Sequence, residues 1–250
     1  MKMFTRRGLL RAGLGAVGAA ILAACSKKTP SSTGTPTTPA ARSTTPAATS
    51  TPTSALNCVA TPAETEGPFF VDEMLNRSDI RSDPSNGAVS PGALLTVNVR
   101  VFHVNGSTCL PLEGAHVDVW HADAEGVYSD VGSAQGRKFL RGYQITDANG
   151  SANFTTVYPG WYQGRAVHIH FKVRTFSGTQ RTFEFTSQWF FDDLLSDQVY
   201  ASAPYNARGT RDQRNATDGI YANSGSLLLL PVTKNGQSYV GTFDIGLTAV

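Results

Sequence analysis

"GRAVHIHFKV", residues 164–173, carries two of the chain's five histidines in one strand-like stretch. Val167, Ile169, Phe171 and Val173 fall on one face of an extended strand, and Ala166, His168, His170 and Lys172 on the other. The apolar face predicts packing against a core. On the other face, a rise of about 3.3 Å per residue sets the two imidazoles about 6–7 Å apart at Cα and pointing the same way, which suits neighbouring positions on one metal ion. The competing reading is a solvated strand face bearing ordinary polar residues. Two histidines do not complete a metal site, so other ligands must come from elsewhere in the chain.

Outward from this stretch, short alternating segments recur between turn signals. "LLTVNVRVFHV" (94–104) precedes NGS, "AHVDVWHAD" (115–123) precedes AEG, "FLRGYQITD" (139–147) precedes ANG and "SANFTTVY" (151–158) precedes PGW. "VHIHFKVRTF" (167–176), "RTFEFTSQWFF" (181–191) and "SYVGTFDIGL" (238–247) complete the series. Such spacing with Gly and Asn turns predicts an all-β sandwich or barrel. Helix is scarce, its most plausible short piece lying around "DDLLSDQVYA" (192–201), and residues 206–225 read as a long polar loop.

The chain opens with "MKMFTRRGLLRAGLGAVGAAILAACSKK". Paired Arg6 and Arg7 precede an apolar run well short of the ~20 residues of a membrane-spanning helix, as in a twin-arginine export signal over residues 1–24. "LAAC" (22–25) is similar to a bacterial lipobox, which makes Cys25 the candidate for acylation; ordinary cleavage at a small-residue site is the alternative. The segment 25–57, rich in Thr, Ser, Pro and Ala, has nothing to bury and reads as a disordered tether. This places the protein outside the cytoplasmic membrane or in the cell envelope, held by lipid alone. Residues 58–250, roughly 190, suffice for one domain with a sizeable core.

The formal net charge is +2, but four of the 21 basic residues, Lys2, Arg6, Arg7 and Arg11, leave with the signal; 17 then face 19 acidic ones, a net of −2. Nothing in that balance points to nucleic acid. With Cys25 assigned to lipid, Cys58 and Cys109 remain, and export to an oxidising compartment predicts a disulfide between them rather than two buried thiols.

Two imidazoles without a nearby cysteine or carboxylate cluster lack the usual completion for structural zinc or for a ferrous facial triad. Tyrosine is the unusual candidate: a phenolate is a hard, strongly donating ligand that favours ferric iron. Tyr128 in "EGVYSD" and Tyr162 in "PGWYQGRAVHIHF" both stand in turns beside predicted strands, although by residue type alone either is more often a half-buried structural tyrosine.

At this point the sequence resembles the intradiol ring-cleaving catechol dioxygenases, most closely their exported protocatechuate dioxygenase-like branch. The resemblance rests on "TPAETEGPFF", "PLEGAHVDVWHADAEGVYSD", "RGYQITDANGSANFTTVYPGWY", "GRAVHIHF" and "SQWFF", in the family's order. It implies a β-sandwich with long loops and one Fe(III) per chain held by Tyr128, Tyr162, His168 and His170, with Tyr162 and His170 axial. The family's tyrosine follows a PG-x frame, which selects Tyr162 over Tyr158. Arg165 and Gln188 fall where the family places groups beside the bound substrate, and Gly67 and Pro68 match a loop lining its pocket. Trp120 is left between core packing and pocket wall, and His103, His116 and His121 receive no role.

The implied chemistry is cleavage of a catechol between its two hydroxyl-bearing carbons with O₂, giving a cis,cis-muconate-type diacid. Tyr162 would be displaced by substrate and able to take up a proton, while Arg165 and Gln188 face the developing charge. Only five residues separate Tyr162 from His168, where protocatechuate dioxygenases carry an insertion, and Gly164 stands where a large side chain is frequent. Both departures imply a more open pocket and leave the choice of catechol undetermined. Two readings compete: a lipid-tethered, non-catalytic β-sandwich binding module, and a two-histidine copper or zinc site. The sequence leaves open whether the domain works as a monomer or a homodimer.

Overall fold

The computed structural model describes residues 58–250. The segments read as export signal (1–24) and tether (25–57), with Cys25, lie outside the described residues. Among the described residues nine strands are formed: β1 (Leu94–Asn105), β2 (Thr108–Pro111), β3 (His116–Trp120), β4 (Arg141–Ile145), β5 (Ser151–Val157), β6 (His168–Ser177), β7 (Gln180–Phe190), β8 (Val232–Asn235) and β9 (Ser238–Leu247). One sheet runs β2-β1-β9-β8, with β5 also paired to β1; the other runs β4-β3-β6-β7. The fold is an all-β sandwich. The short β2 and β8 add to the series read from sequence, each completing a tight hairpin with its neighbour.

The core lies between the sheets. Val97, Val99 and Val101 of β1 and Ile245 of β9 belong to one buried cluster with Val117, Ile169, Phe171, Val173 and Trp189 of the second sheet. Each such side chain removed from water contributes about 1.5–3 kcal/mol, offsetting the entropy of ordering the chain. These are the apolar positions of the period-2 pattern, and burial of one face fixes the strand register. That register matters for the other face: His170 stands opposite Trp120 on β3 and Gln188 on β7, and His168 opposite Phe190.

The outer face of β6 is not solvated. His168, His170, Lys172 and Arg174 are all between 1% and 4% exposed. The segment preceding β1 covers them: Glu64 N–H donates to Thr186 O (3.1 Å), the Gln188 amide to Thr65 O (2.7 Å) and the Ser187 hydroxyl to Pro62 O (2.8 Å). Buried charges persist only when paired. Lys172 accordingly pairs with Glu66 and, at 3.0 Å, with Glu184, while Arg174 lies 2.5 Å from Asp72 and 2.6 Å from Asp118. Cys58 and Cys109 are disulfide-bonded, Cα atoms 5.5 Å apart, which ties the start of the covering segment to β2.

Helix α1 (Asp193–Tyr200) lies within the stretch read as helical, capped by the Asp192 carboxylate accepting from Leu195 N–H (2.9 Å). Residues 206–225, read as a long polar loop, are more structured than that. They form successive single turns, including Asn215–Thr217 and α2 (Tyr221–Ser224). Polar side chains anchor them inward: Arg211 pairs with Asp193 (2.5 Å) and Asp197 (2.8 Å), and Asp218 is 1% exposed. Composition marks the stretch as polar, whereas ion pairs through the buried side chains of Arg211 and Asp218 hold it in place.

Candidate metal centre

Tyr128 follows β3 in a loop closed on itself: the Asp123 carboxylate accepts from Val127 N–H (2.9 Å), and Asp123 N–H donates to Val127 O (2.9 Å). Buried Arg141 secures the next residue, donating to Ser129 O from Nη2 (2.5 Å) and to Ser129 Oγ from Nε (2.9 Å). Tyr162 ends the turn after β5, where Gly160 N–H reaches Asp123 O (3.0 Å) and Arg208 lies over the Trp161 ring at 4.4 Å. Two loops from opposite ends of the chain's middle are thereby brought to the histidine strand.

Four donor atoms converge. His168 Nε2 lies 3.0 Å from His170 Nε2, 3.2 Å from Tyr162 Oη and 3.5 Å from Tyr128 Oη. The Nδ1 of His168 is 2.6 Å from Ala166 O, so Nδ1 carries the proton and donates, leaving the Nε2 lone pair turned towards the cluster. One lone pair cannot satisfy three neighbours at these distances. His170 Nδ1 is buried without a partner.

The protonation states agree with a ligand set. Burial pulls His168 down to about 3, helped by the nearby Arg165 guanidinium, and holds His170 well below its ordinary value, so both rings are neutral at pH 7. Burial pushes both phenols up, Tyr128 further because Tyr162 adds to it; Arg165 restrains the rise at Tyr162. Ionising two buried phenols requires a positive charge among them. A cation bound by two neutral nitrogens and two phenolate oxygens meets that need, and this hard, mixed N/O donor set fits a ferric ion.

The walls are aromatic. Trp120 stacks on His170 at 4.9 Å with the planes 7° apart, and Phe69 stacks on Tyr128 at 4.4 Å. Gly67, with φ +69°, packs so closely that an added Cβ would stand 3.3 Å from His170 Cε1, which accounts for glycine there; Pro68 begins the turn that follows. Gly164 also has positive φ, +82°, and an added Cβ would meet open space. Arg165 donates from Nη2 to Gln188 Oε1 (2.7 Å) and from Nε to Asp218 Oδ2 (2.8 Å). Gln188 is fully buried, its amide spanning Arg165 and Thr65 O.

The structure therefore brings together Tyr128, Tyr162, His168, His170, Arg165, Gln188 and Gly67. Tyr158 lies elsewhere, fully buried in the sandwich with its hydroxyl 2.8 Å from Ser196 Oγ. His116 stacks on Tyr143, and His121 bridges Ala122 O and Thr156 Oγ1. Two neighbours, Phe69 and Asp218, were given no role from the sequence, and Trp120, left between core and pocket wall, proves to be wall. Trp120 is placed by the β3–β6 register, Phe69 by the path of the covering segment and Asp218 by a loop 53 residues from its partner Arg165, and none of these has a local signal.

A family model described as "Dioxygenase" matches residues 65–223, well over half of the chain. An intradiol ring-cleavage dioxygenase from Tetranychus urticae superposes with a TM-score of 0.67 at 30% identity, covering 77% of this chain and 96% of that one. The dioxygenase domain of a dioxygenase and carbohydrate-binding fusion protein from Streptomyces sp. SirexAA-E superposes at 0.55 with 30% identity, covering 77% and 100%. Among curated relatives, catechol 1,2-dioxygenase 1 of Acinetobacter lwoffii is 30% identical over 165 residues, 55% of this chain and 49% of its own. The chain spans about half the length, or less, of the curated relatives it matches. Because the matched segment carries both tyrosines, both histidines and their covering loop, and the sandwich around them is shared with a solved member, the chain belongs to the intradiol ring-cleavage dioxygenase family.

Proposed function

We propose that the domain binds one Fe(III) through Tyr128, Tyr162, His168 and His170 and cleaves catechol-type aromatics between the two hydroxyl-bearing carbons with O₂. Both oxygen atoms enter the cis,cis-muconate-type diacid, so no external reductant is consumed. The observation that carries this reading is the crowding of Tyr128 Oη, Tyr162 Oη and His170 Nε2 on one nitrogen, His168 Nε2, in a buried site. Relatives named for catechol, chlorocatechol and hydroxyquinol support the substrate class.

When bound, the metal supplies Lewis acidity and a template that holds the substrate as its dianion. The protein's residues supply the rest. Tyr128 and the two histidines hold fixed positions, stacked or hydrogen-bonded to their neighbours. Tyr162, more exposed than Tyr128, would be the phenol that gives way to substrate, and its Oη could take up a substrate proton. Arg165 and the Gln188 amide present fixed positive charge and a dipole to the charge that develops on the ring. Trp120, Phe69 and Phe70 pack around the ligands and keep water from their buried sides.

We propose also that the protein acts outside the cytoplasmic membrane on a lipid-anchored tether. The twin-arginine and lipobox patterns support this, as does the Cys58–Cys109 bond, which persists in oxidising compartments. The test of the chemistry is a visible absorption spectrum of the purified iron-loaded protein, with and without catechol under anaerobic conditions. A broad tyrosinate-to-iron band that shifts with catechol is the expected result. A colourless protein after iron reconstitution would overturn the ligand assignment.

A further inference from the structure

Asp218 is a carboxylate at 1% exposure in a segment that otherwise carries no part of the site. Its two oxygens accept four hydrogen bonds. Oδ1 takes the N–H groups of Ile220 (2.8 Å) and Tyr221 (2.9 Å), which start α2. Oδ2 takes Arg165 Nε (2.8 Å) and the N–H of Ala166 (2.7 Å). The division is informative: one oxygen anchors the carboxylate to its own loop, and the other reaches the strand that bears the histidines.

The Arg165 guanidinium has five N–H donors in a rigid fork. Asp218 occupies Nε and Gln188 Oε1 occupies Nη2, which fixes the plane of the fork beside Tyr162. A guanidinium held from one side only could rotate about its long stem. The same carboxylate oxygen also accepts from the N–H of Ala166, the residue whose carbonyl accepts from His168 Nδ1. A single buried charge thereby orients the substrate-side cation and ties down the residue whose carbonyl sets a ligand's tautomer.

We propose that Asp218 is a positioning residue for the ring-cleavage step, acting through Arg165. The proposal rests on the role given to Arg165 above. Without a fixed partner the guanidinium loses its preorganised direction, and charge stabilisation in the transition state falls while substrate binding through the metal remains.

The test compares Asp218→Asn, which keeps an oxygen for Ile220 and Tyr221 but removes the charge facing Arg165, with the wild type, both full-length and iron-loaded. The Asn variant is expected to keep its iron and its tyrosinate band. Its kcat should fall by at least about tenfold with KM changed less than about threefold. The discriminating measurement is the cycle with Arg165→Ala. In that background Asp218→Asn should cost less than about twofold, because the two residues act as one unit. Equal losses in both backgrounds would overturn the proposal, since a merely structural carboxylate would act regardless of Arg165.

A second readout needs no turnover. In protein loaded with diamagnetic Ga(III) in place of iron, the Arg165 Nε–H signal in nitrogen-15 NMR, assigned by its loss in Arg165→Lys, should be slow to exchange in the wild type and fast in Asp218→Asn; unchanged protection in the variant would also overturn the proposal. If wild type turns over no catechol yet this signal behaves as stated, the proposed reaction fails while the positioning contact stands. Should Asp218→Asn not fold, Arg165→Lys carries the test, since it keeps the charge and removes the fork. It should lose kcat at least tenfold, and retention of wild-type kcat would refute the proposal.

Discussion

On the inner face of β6, Ile169, Phe171 and Val173 pack against β1, β7 and β9 without a polar atom among their side chains; on the outer face His168, His170, Lys172 and Arg174 are buried just as deeply. The inner face stabilises the fold directly, through apolar area removed from water. The outer face gains little from its own burial, because imidazole, ammonium and guanidinium groups lose hydration, and each must recover it from a partner. Lys172 and Arg174 recover it from carboxylates, two of them on the covering segment. The two histidines find one such partner, Ala166 O, and otherwise face the phenols and each other. Burial without adequate partners is what separates a site from a core.

The comparison is broken most sharply by His168→Ala. Iron content and the visible band should fall to background, with little loss of stability in the metal-free protein; metal analysis and urea denaturation check both halves. Retained iron and colour would remove His168 from the ligand set. On the inner face, Phe171→Ala should lower stability by about 4 kcal/mol through lost burial and the cavity left behind. Urea denaturation reads this directly, and the surviving folded fraction should still bind iron.

The histidines sharpen the same contrast through pH. His121, between the sheets, is held by burial down to about 4, against 6.5 when exposed. Its folded value is depressed, so between pH 6.5 and 4 the unfolded chain binds a proton that the folded protein refuses, and stability falls as the pH drops through that window. The change attributable to this residue is about 3 kcal/mol. Denaturation at pH 7 and pH 4.5 should show His121→Gln losing less stability on acidification than the wild type does. The smallest effect belongs to Tyr158→Phe, which removes only the hydroxyl contact to Ser196 and should cost about 1 kcal/mol with the iron spectrum unchanged.

Much of the site was legible because its chemistry is local. His168 and His170 share a strand face by period alone, and Tyr162 is tied to them by a short turn. Tyr128 needed the family's order of motifs, since 40 residues separate it from His168. The polar face of β6 shows the limit: alternation says which residues share a face, but whether solvent or another segment covers that face depends on the path of residues 61–76. Residues 206–225 show it again, where Asp218 has the composition of a loop and the environment of a core.

The sequence by itself determined the strands, an all-β class, the histidine pair and the turns that carry the two tyrosines, because period-2 alternation and turn chemistry act between near neighbours; the choice of sandwich over barrel came from the family resemblance. Only the tertiary structure decided that Trp120 lies on His170, that Phe69 lies on Tyr128 and that Asp218 holds Arg165. Those contacts come from strand register and from the docking of distant loops. Both are settled by total burial and the pairing of buried charge across the whole chain, and no local pattern records them.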